Sequence, residues 1–200
     1  MGWTFTNRSK GQPIKDFFAE RFDFDEIKNG VRHSGKILDC AMKRWTEVYI
    51  SYEIINGDER KVVALVCLVR FNREFQYNFG YKDMDETMGP CICDCPERIL
   101  KALTPTDDKT SNEWRQACQE RIDRRKNKPK LKVGDVIEFN YPLHFGSYGD
   151  IKQFRILPKR NPRQRRVLVT TADNDNDWPV MRIRTTTIQE GDWKIIKKAS

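Results

Sequence analysis

Apolar positions along the first half of the chain repeat with two different periods. Ile14, Phe17, Phe18 and Phe22 follow Pro13 at three- and four-residue spacing, which predicts an amphipathic helix over 14–22 that packs through its phenylalanines. Val48, Ile50, Tyr52 and Ile54 then alternate with more polar neighbours, the period of a half-buried strand, so 36–42 and 45–55 are predicted strands. Asn56-Gly57 signals a hairpin, extended by Asp58-Glu59, because both central positions of a type I′ turn need positive φ. The stretch 61–70 is apolar on both faces and predicts a central strand, and 75–81 predicts a further one.

The texture changes after Tyr81. Residues 81–90 predict an acidic loop that ends on Gly89-Pro90. A short helix is expected over 96–103. Ser111 or Asn112 is expected to cap a longer one, with Trp114, Cys118 and Ile122 as its buried stripe. Its end runs into 124–130, which predicts an exposed basic linker. Beyond it the pattern is one of short strands between turn residues, at 133–139, 153–157, 166–171, 180–187 and 193–196. The fold class expected is α+β: an antiparallel sheet packed with helices over 1–126, followed by a small all-β barrel or sandwich over 131–200.

Charge sharpens this division. The 200 residues carry a net +8, but through Glu120 there are 18 Lys and Arg against 20 Asp and Glu, and from Arg121 onward 19 against 9. A basic C-terminal segment points to a polyanion partner. No run approaches the roughly 18 apolar residues of a membrane span, and Met1–Thr6 lacks a secretory pattern, so the expectation is a cytoplasmic protein with no membrane partner. Six cysteines in that setting are expected as thiols, Cys67 and Cys40 as small core residues.

Three groups of residues carry candidate chemistry. Arg121, Arg124, Arg125, Lys126, Lys128, Lys130 and Lys132 form one basic cluster; Lys152, Arg155, Lys159, Arg160, Arg163, Arg165 and Arg166 form another with no acid between them. Clustered cations neutralise phosphates and release counterions, giving sequence-tolerant binding, and Tyr141, Phe145 and Tyr148 could stack on bases. The plainer reading is a solvated linker, a hairpin tip and buried rings. Cys91, Cys93, Cys95 and Cys118 supply four thiols, which zinc accepts as thiolates, but alternate residues of an extended C-x-C-x-C run stand about 7 Å apart and fit one tetrahedron badly. Carboxylates of the group Asp83, Asp85, Glu86 and Asp94 could hold Mg²⁺, against a plainer role in a solvated turn with Asp94 near a helix start. Cys91, Cys95, Cys118, Asp83 and Asp85 are therefore the metal candidates, and the sequence identifies no cofactor.

Other chemistries lack their residues. The Pro90-Cys91-x-Cys93 run has no H-x-E partner at His33 or His144, which excludes the zinc-deaminase pattern, and no phosphate loop, nucleophile elbow or H-E-x-x-H helix occurs.

Gly2-Trp3-Thr4, Asn78–Glu86, Gly89-Pro90, Asp94-Cys95-Pro96, Ile99-Leu100, Leu103–Thr106, Glu113-Trp114-Arg115 and Cys118 together resemble a domain family of unknown function seen in bacteria, phages and other mobile elements. The resemblance covers scattered blocks of about the first 120 residues, most specifically 81–106. It implies a mobile-element context and no particular activity.

The expectation is a non-enzymatic accessory protein of a mobile element that binds nucleic acid or an acidic or nucleoprotein partner through the two basic clusters. The alternatives are a protein inhibitor that covers a host defence complex, and a metal-dependent enzyme built on Asp83, Asp85 and Glu86.

Overall fold

In a computed structural model, which describes residues 2–71, 76–161, 163, 166–174 and 177–199, the phenylalanine-spaced segment folds as helix α1 (Ile14–Phe22). Its buried Phe17 and Phe18 lie on one face of a curled antiparallel sheet. That sheet comprises β1 (Thr4–Thr6), β2 (Phe24–Lys28), β3 (Val31–Lys43), β4 (Glu47–Asn56), β5 (Glu59–Phe71) and β6 (Phe79–Asp85), in the order β1-β6-β5-β4-β3-β2. Alternation along β4 divides its side chains: Val48, Ile50 and Tyr52 join the α1 core, and Tyr49 enters a second core on the opposite face. Ala64 and Val66 of β5 enter that second core as well, while Cys67 and Val69 join the first, which explains a strand apolar on both sides.

Helices α2 (Glu97–Leu100) and α3 (Lys109–Lys126) cover the second face through Ile99, Trp114 and Cys118. Helix α3 starts earlier than expected because Asp108, and not Ser111 or Asn112, accepts the Ser111 backbone N–H at 2.7 Å. The segment 81–85 is strand and not loop, with Asp83 opposite Cys67 and Asp85 opposite Leu65. Phe75, expected to open that strand, lies outside the described residues. Strands β1 and β2 are additional to the expected set.

The turns also differ in detail. Asn56 pairs with Glu59, so the β4–β5 hairpin is a two-residue turn with Gly57 (φ 60°) first, one residue later than the Asn-Gly reading placed it. The β2–β3 hairpin turns on Asn29-Gly30, both at positive φ. Trp45 is not in a strand: Thr46 N–H donates to Lys43 O at 3.1 Å, with Arg44 (φ 50°) and Trp45 (φ 63°) between them. Left-handed backbone at two side-chain-bearing residues costs about 1–2 kcal/mol each. Gly35 of β3 is required by contact, since a Cβ there would lie 1.9 Å from the Tyr52 hydroxyl.

One buried ion pair ties the second face together. Arg115 of α3 donates through Nε and Nη2 to the two carboxylate oxygens of Glu86, each at 2.6 Å, and through Nη1 to Thr104 O at 2.7 Å. Thr104 is itself joined to β5, its N–H donating to Val62 O and its hydroxyl accepting from Val62 N–H. Glu86 is 2% exposed and the Arg115 side chain 16%.

The chain divides into two compact units, Met1–Ile122 and Asp123–Ser200. The second holds β7 (Val136–His144), β8 (Asp150–Ile156), β9 (Arg166–Thr171), β10 (Met181–Arg184), helix α4 (Thr185–Glu190) and β11 (Trp193–Lys197). Its antiparallel sheet runs in the order β10-β9-β8-β7-β11 over a core of Ile137, Phe139, Phe154, Val169, Ile183, Ile188 and Trp193. The segment expected to be all-β thus contains a helix: 185–190 coils where a strand to Thr187 was expected, and Ile188 caps the core. Asp135 precedes β7. Its carboxylate accepts from Lys132 N–H at 2.7 Å and Ala199 N–H at 2.9 Å, and those bonds hold it below the usual carboxylate range.

Glu86→Gln, which leaves Arg115 buried without its counter-charge, is expected to lower stability by roughly 3–5 kcal/mol in urea unfolding. For Asp135 the depressed folded pKa places its stabilisation above the unfolded value near 3.9, to be lost as pH falls through and below it. Asp135→Asn is expected to lower stability at neutral pH and to flatten that acid limb, read from thermal melts between about pH 2 and 7.

Candidate nucleic-acid interface

The two basic clusters do not survive as two uniform patches. Arg121, Arg124, Arg125 and Lys126 lie on the last turns of α3, so the expected linker is partly helix. Arg125 is half-buried and pairs with Glu190 at 2.8 Å. Lys128 donates to Gly191 O and sits 4.6 Å over the Trp193 ring. These two cations build the second unit itself, which corrects their reading as an exposed binding stretch.

The second cluster also divides. Arg155 pairs with Asp177 at 3.1 Å and donates to Asn174 O, holding the β9–β10 connection. Lys152, Lys159, Arg160, Arg163 and Arg166 are exposed, and Arg165 lies outside the described residues.

That pinned connection carries Trp178, which is 65% exposed. Its indole borders a groove of about 510 Å³ with Phe145 and Tyr148 from the β7–β8 turn, Arg160 from the β8–β9 connection and Arg182 from β10. Leu168 and Met181, both buried, form the floor. The β7–β8 turn is well held: Tyr148 N–H donates to Phe145 O and Phe145 N–H to Gly149 O, both at 2.9 Å, with Gly146 and Gly149 at positive φ. At its neck His144 Nδ1 stands 2.8 Å from Asp150 Oδ1. Phe145 anchors the turn by packing edge-on to Phe154, with ring centroids 5.6 Å apart, which leaves Tyr148 50% exposed.

The groove thus presents two exposed rings flanked by two guanidinium groups. Rings stack on planar π faces, and guanidinium groups pair with phosphate oxygens in a forked geometry. Of the three aromatics expected to stack, Phe145 and Tyr148 line the groove. Tyr141 is exposed on β7. Trp178 and Arg182 were absent from the expected set; the signal for Trp178 was a lone tryptophan in the polar run 173–179, where no burial pattern accounts for it.

The thiol and carboxylate candidates go elsewhere. Cys95 and Cys118 are buried with Tyr49, Ile99 and Trp114, with Cys93 packed against them, and Cys91 is exposed. Burial pushes the Cys118 thiol up to about 12 and raises Cys93 and Cys95 as well. These are conditions for core thiols, not for ready thiolates. Asp83 and Asp85 sit on β6, where Asp85 accepts from Thr87 N–H at 2.9 Å. Among the described residues no three His, Cys, Asp or Glu side chains form a metal-holding group. No described helix is long and apolar enough to cross a membrane.

Residues 105–186 match a domain of unknown function, DUF6927. The match takes in every residue of the groove and the 113–118 block of the resemblance, and leaves the blocks from Asn78 to Leu103 outside it. No curated protein and no solved structure matches the chain.

The thiol burial sets a rate order. With Ellman's reagent on the native protein, Cys91 is expected to react first, and Cys67, Cys95 and Cys118 only as the protein unfolds. Mass mapping of the modified peptides reads that order.

Proposed function

We propose that the second unit binds single-stranded nucleic acid, with bases stacked on Tyr148 and Trp178 and phosphates paired with Arg160 and Arg182. The carrying observation is the groove itself, where exposed rings and cations from four separate segments meet. A solvated charge run gives no reason for a half-exposed tyrosine and a largely exposed tryptophan to share one concavity. Duplex DNA hides its base faces, so rings offered to solvent favour single strands. Lys159, Arg163 and Arg166 extend the positive field along the same connection.

The role is non-catalytic. Glu86 is committed to Arg115 and Asp85 to Thr87, so carboxylates expected to hold a metal are used in structure. Met181 and Ile183 of one edge strand, β10, and Trp193 of the other, β11, share the core of this unit's sheet. With the mobile-element context that the resemblance implies, the whole protein is an accessory factor that holds exposed strands of its element.

In fluorescence anisotropy with a labelled oligothymidylate, Trp178→Ala and Tyr148→Ala are each expected to cost about 1–3 kcal/mol of binding. Arg160→Gln with Arg182→Gln should reduce the slope of log K against log salt by roughly 0.7 for each phosphate no longer neutralised. Wild-type affinity in the aromatic variants, or tighter binding to duplex than to single strand, would refute the proposal.

A further inference from the structure

A second concavity of the C-terminal unit has a different chemistry. It encloses about 390 Å³, within the range of small-molecule sites. Its walls are apolar: Leu157 at the end of β8, Val167 of β9, Ile188 of α4 and Trp193 of β11. Val133, 57% exposed, stands at its edge. Lys128, Lys130 and Lys159 stand around it. Among the described residues, no carboxylate is within ion-pair distance of any of the three. Of the acids near this rim, Glu190 pairs with Arg125, and Asp192 accepts from Asn140 while its charge also acts on Lys128.

We infer that this pocket takes a small amphipathic anion, its apolar body on Ile188 and Trp193 and its carboxylate or phosphate head among Lys128, Lys130 and Lys159. A hydrocarbon body gains free energy as its apolar surface leaves water. A neutral apolar molecule would leave the lysine rim unused, and a bare anion would leave the apolar wall wet. The combination of the two surfaces selects the class. Lys128 is the cation best placed to gain, since it is half-buried with a carbonyl and an indole as its contacts. Burial lowers its pKa from the usual lysine value, Asp192 opposes that shift and Arg124 adds to it.

This site is separate from the aromatic groove, although Leu168 lines both. It does not rest on the nucleic-acid proposal. The test is calorimetric titration of the whole protein with decanoate, decyl phosphate and decanol. One of the two anions is expected to bind one-to-one with decanol at least about tenfold weaker, and the preferred head tells carboxylate from phosphate. Lys128→Met, which keeps a chain over Trp193, and Lys159→Gln, at an exposed position that folding does not depend on, should each weaken the anion about three- to tenfold. Trp178→Ala should leave it unchanged. No binding of either anion at about 1 mM, equal binding of decanol, or wild-type affinity in Lys159→Gln would overturn the inference. Loss of anion binding in Trp178→Ala would do so too, by placing the ligand in the groove.

Discussion

The Glu86–Arg115 pair is the interaction on which the first unit depends. Both charges leave water, and their attraction offsets that cost only because the geometry is bidentate and the spare guanidinium N–H finds Thr104 O. Through those bonds one side chain of α3 holds the turn after β6 and the loop that carries Thr104, and Thr104 is bonded to the start of β5. The loop over 89–96 has little regular structure and is fixed from the same side. Trp114 Nε1 donates to Ile92 O at 3.0 Å, and the Tyr49 hydroxyl accepts from Asp94 N–H at 3.0 Å. Helix α3 is polar over most of its surface, so a stripe of Trp114, Cys118 and Ile122 would hold it weakly without this polar lock.

Periodicity carried much of this fold. The α1 helix and strands β3 to β5 are legible because their apolar spacings are regular and long. Strand β2 was missed although Asn29-Gly30 is the same kind of hairpin signal as Asn56-Gly57; its residues are all exposed, so no alternation marks it. Strand β6 was displaced by several residues because Lys82, Asp83 and Asp85 read as loop. They tolerate a strand since each is only partly buried and Asp85 turns back to bind Thr87. Helix α4 has three successive threonines, which read as strand; one apolar contact, Ile188 on the core, decides against that local preference.

The candidate groove was half legible. Composition located positive charge in the C-terminal unit, and the β7–β8 rings were recognised as stackers. What charge counts cannot separate is which cations serve the fold: Arg125, Lys128 and Arg155 look like their neighbours in sequence, and only the folded chain brings them to Glu190, Gly191 and Asp177. Nor can spacing bring together Tyr148, Arg160, Trp178 and Arg182, which come from four segments and become neighbours only when the sheet forms. The resemblance blocks behave in the same way. Glu86, Thr104 and Arg115, from three of those blocks, lie in one hydrogen-bonded cluster, which gives those residue types a structural reason to be there.

A sheet covered on both faces carries an ambiguity that half-exposed sheets do not. Sliding β4 by one residue against β5 would exchange Val48, Ile50 and Tyr52 with Tyr49 and Ser51, and oil would still meet oil on either side. Hydrophobicity is nearly degenerate between the two alignments, so it cannot choose. The choice falls to directional groups with a single acceptable address. In the slipped frame the Tyr49 hydroxyl would lose the Asp94 N–H it now accepts, and buried Ser51 would lose the Asp39 N–H it now accepts. The few polar atoms inside this unit therefore act as its alignment marks, and the abundant apolar ones as the filling those marks put in place.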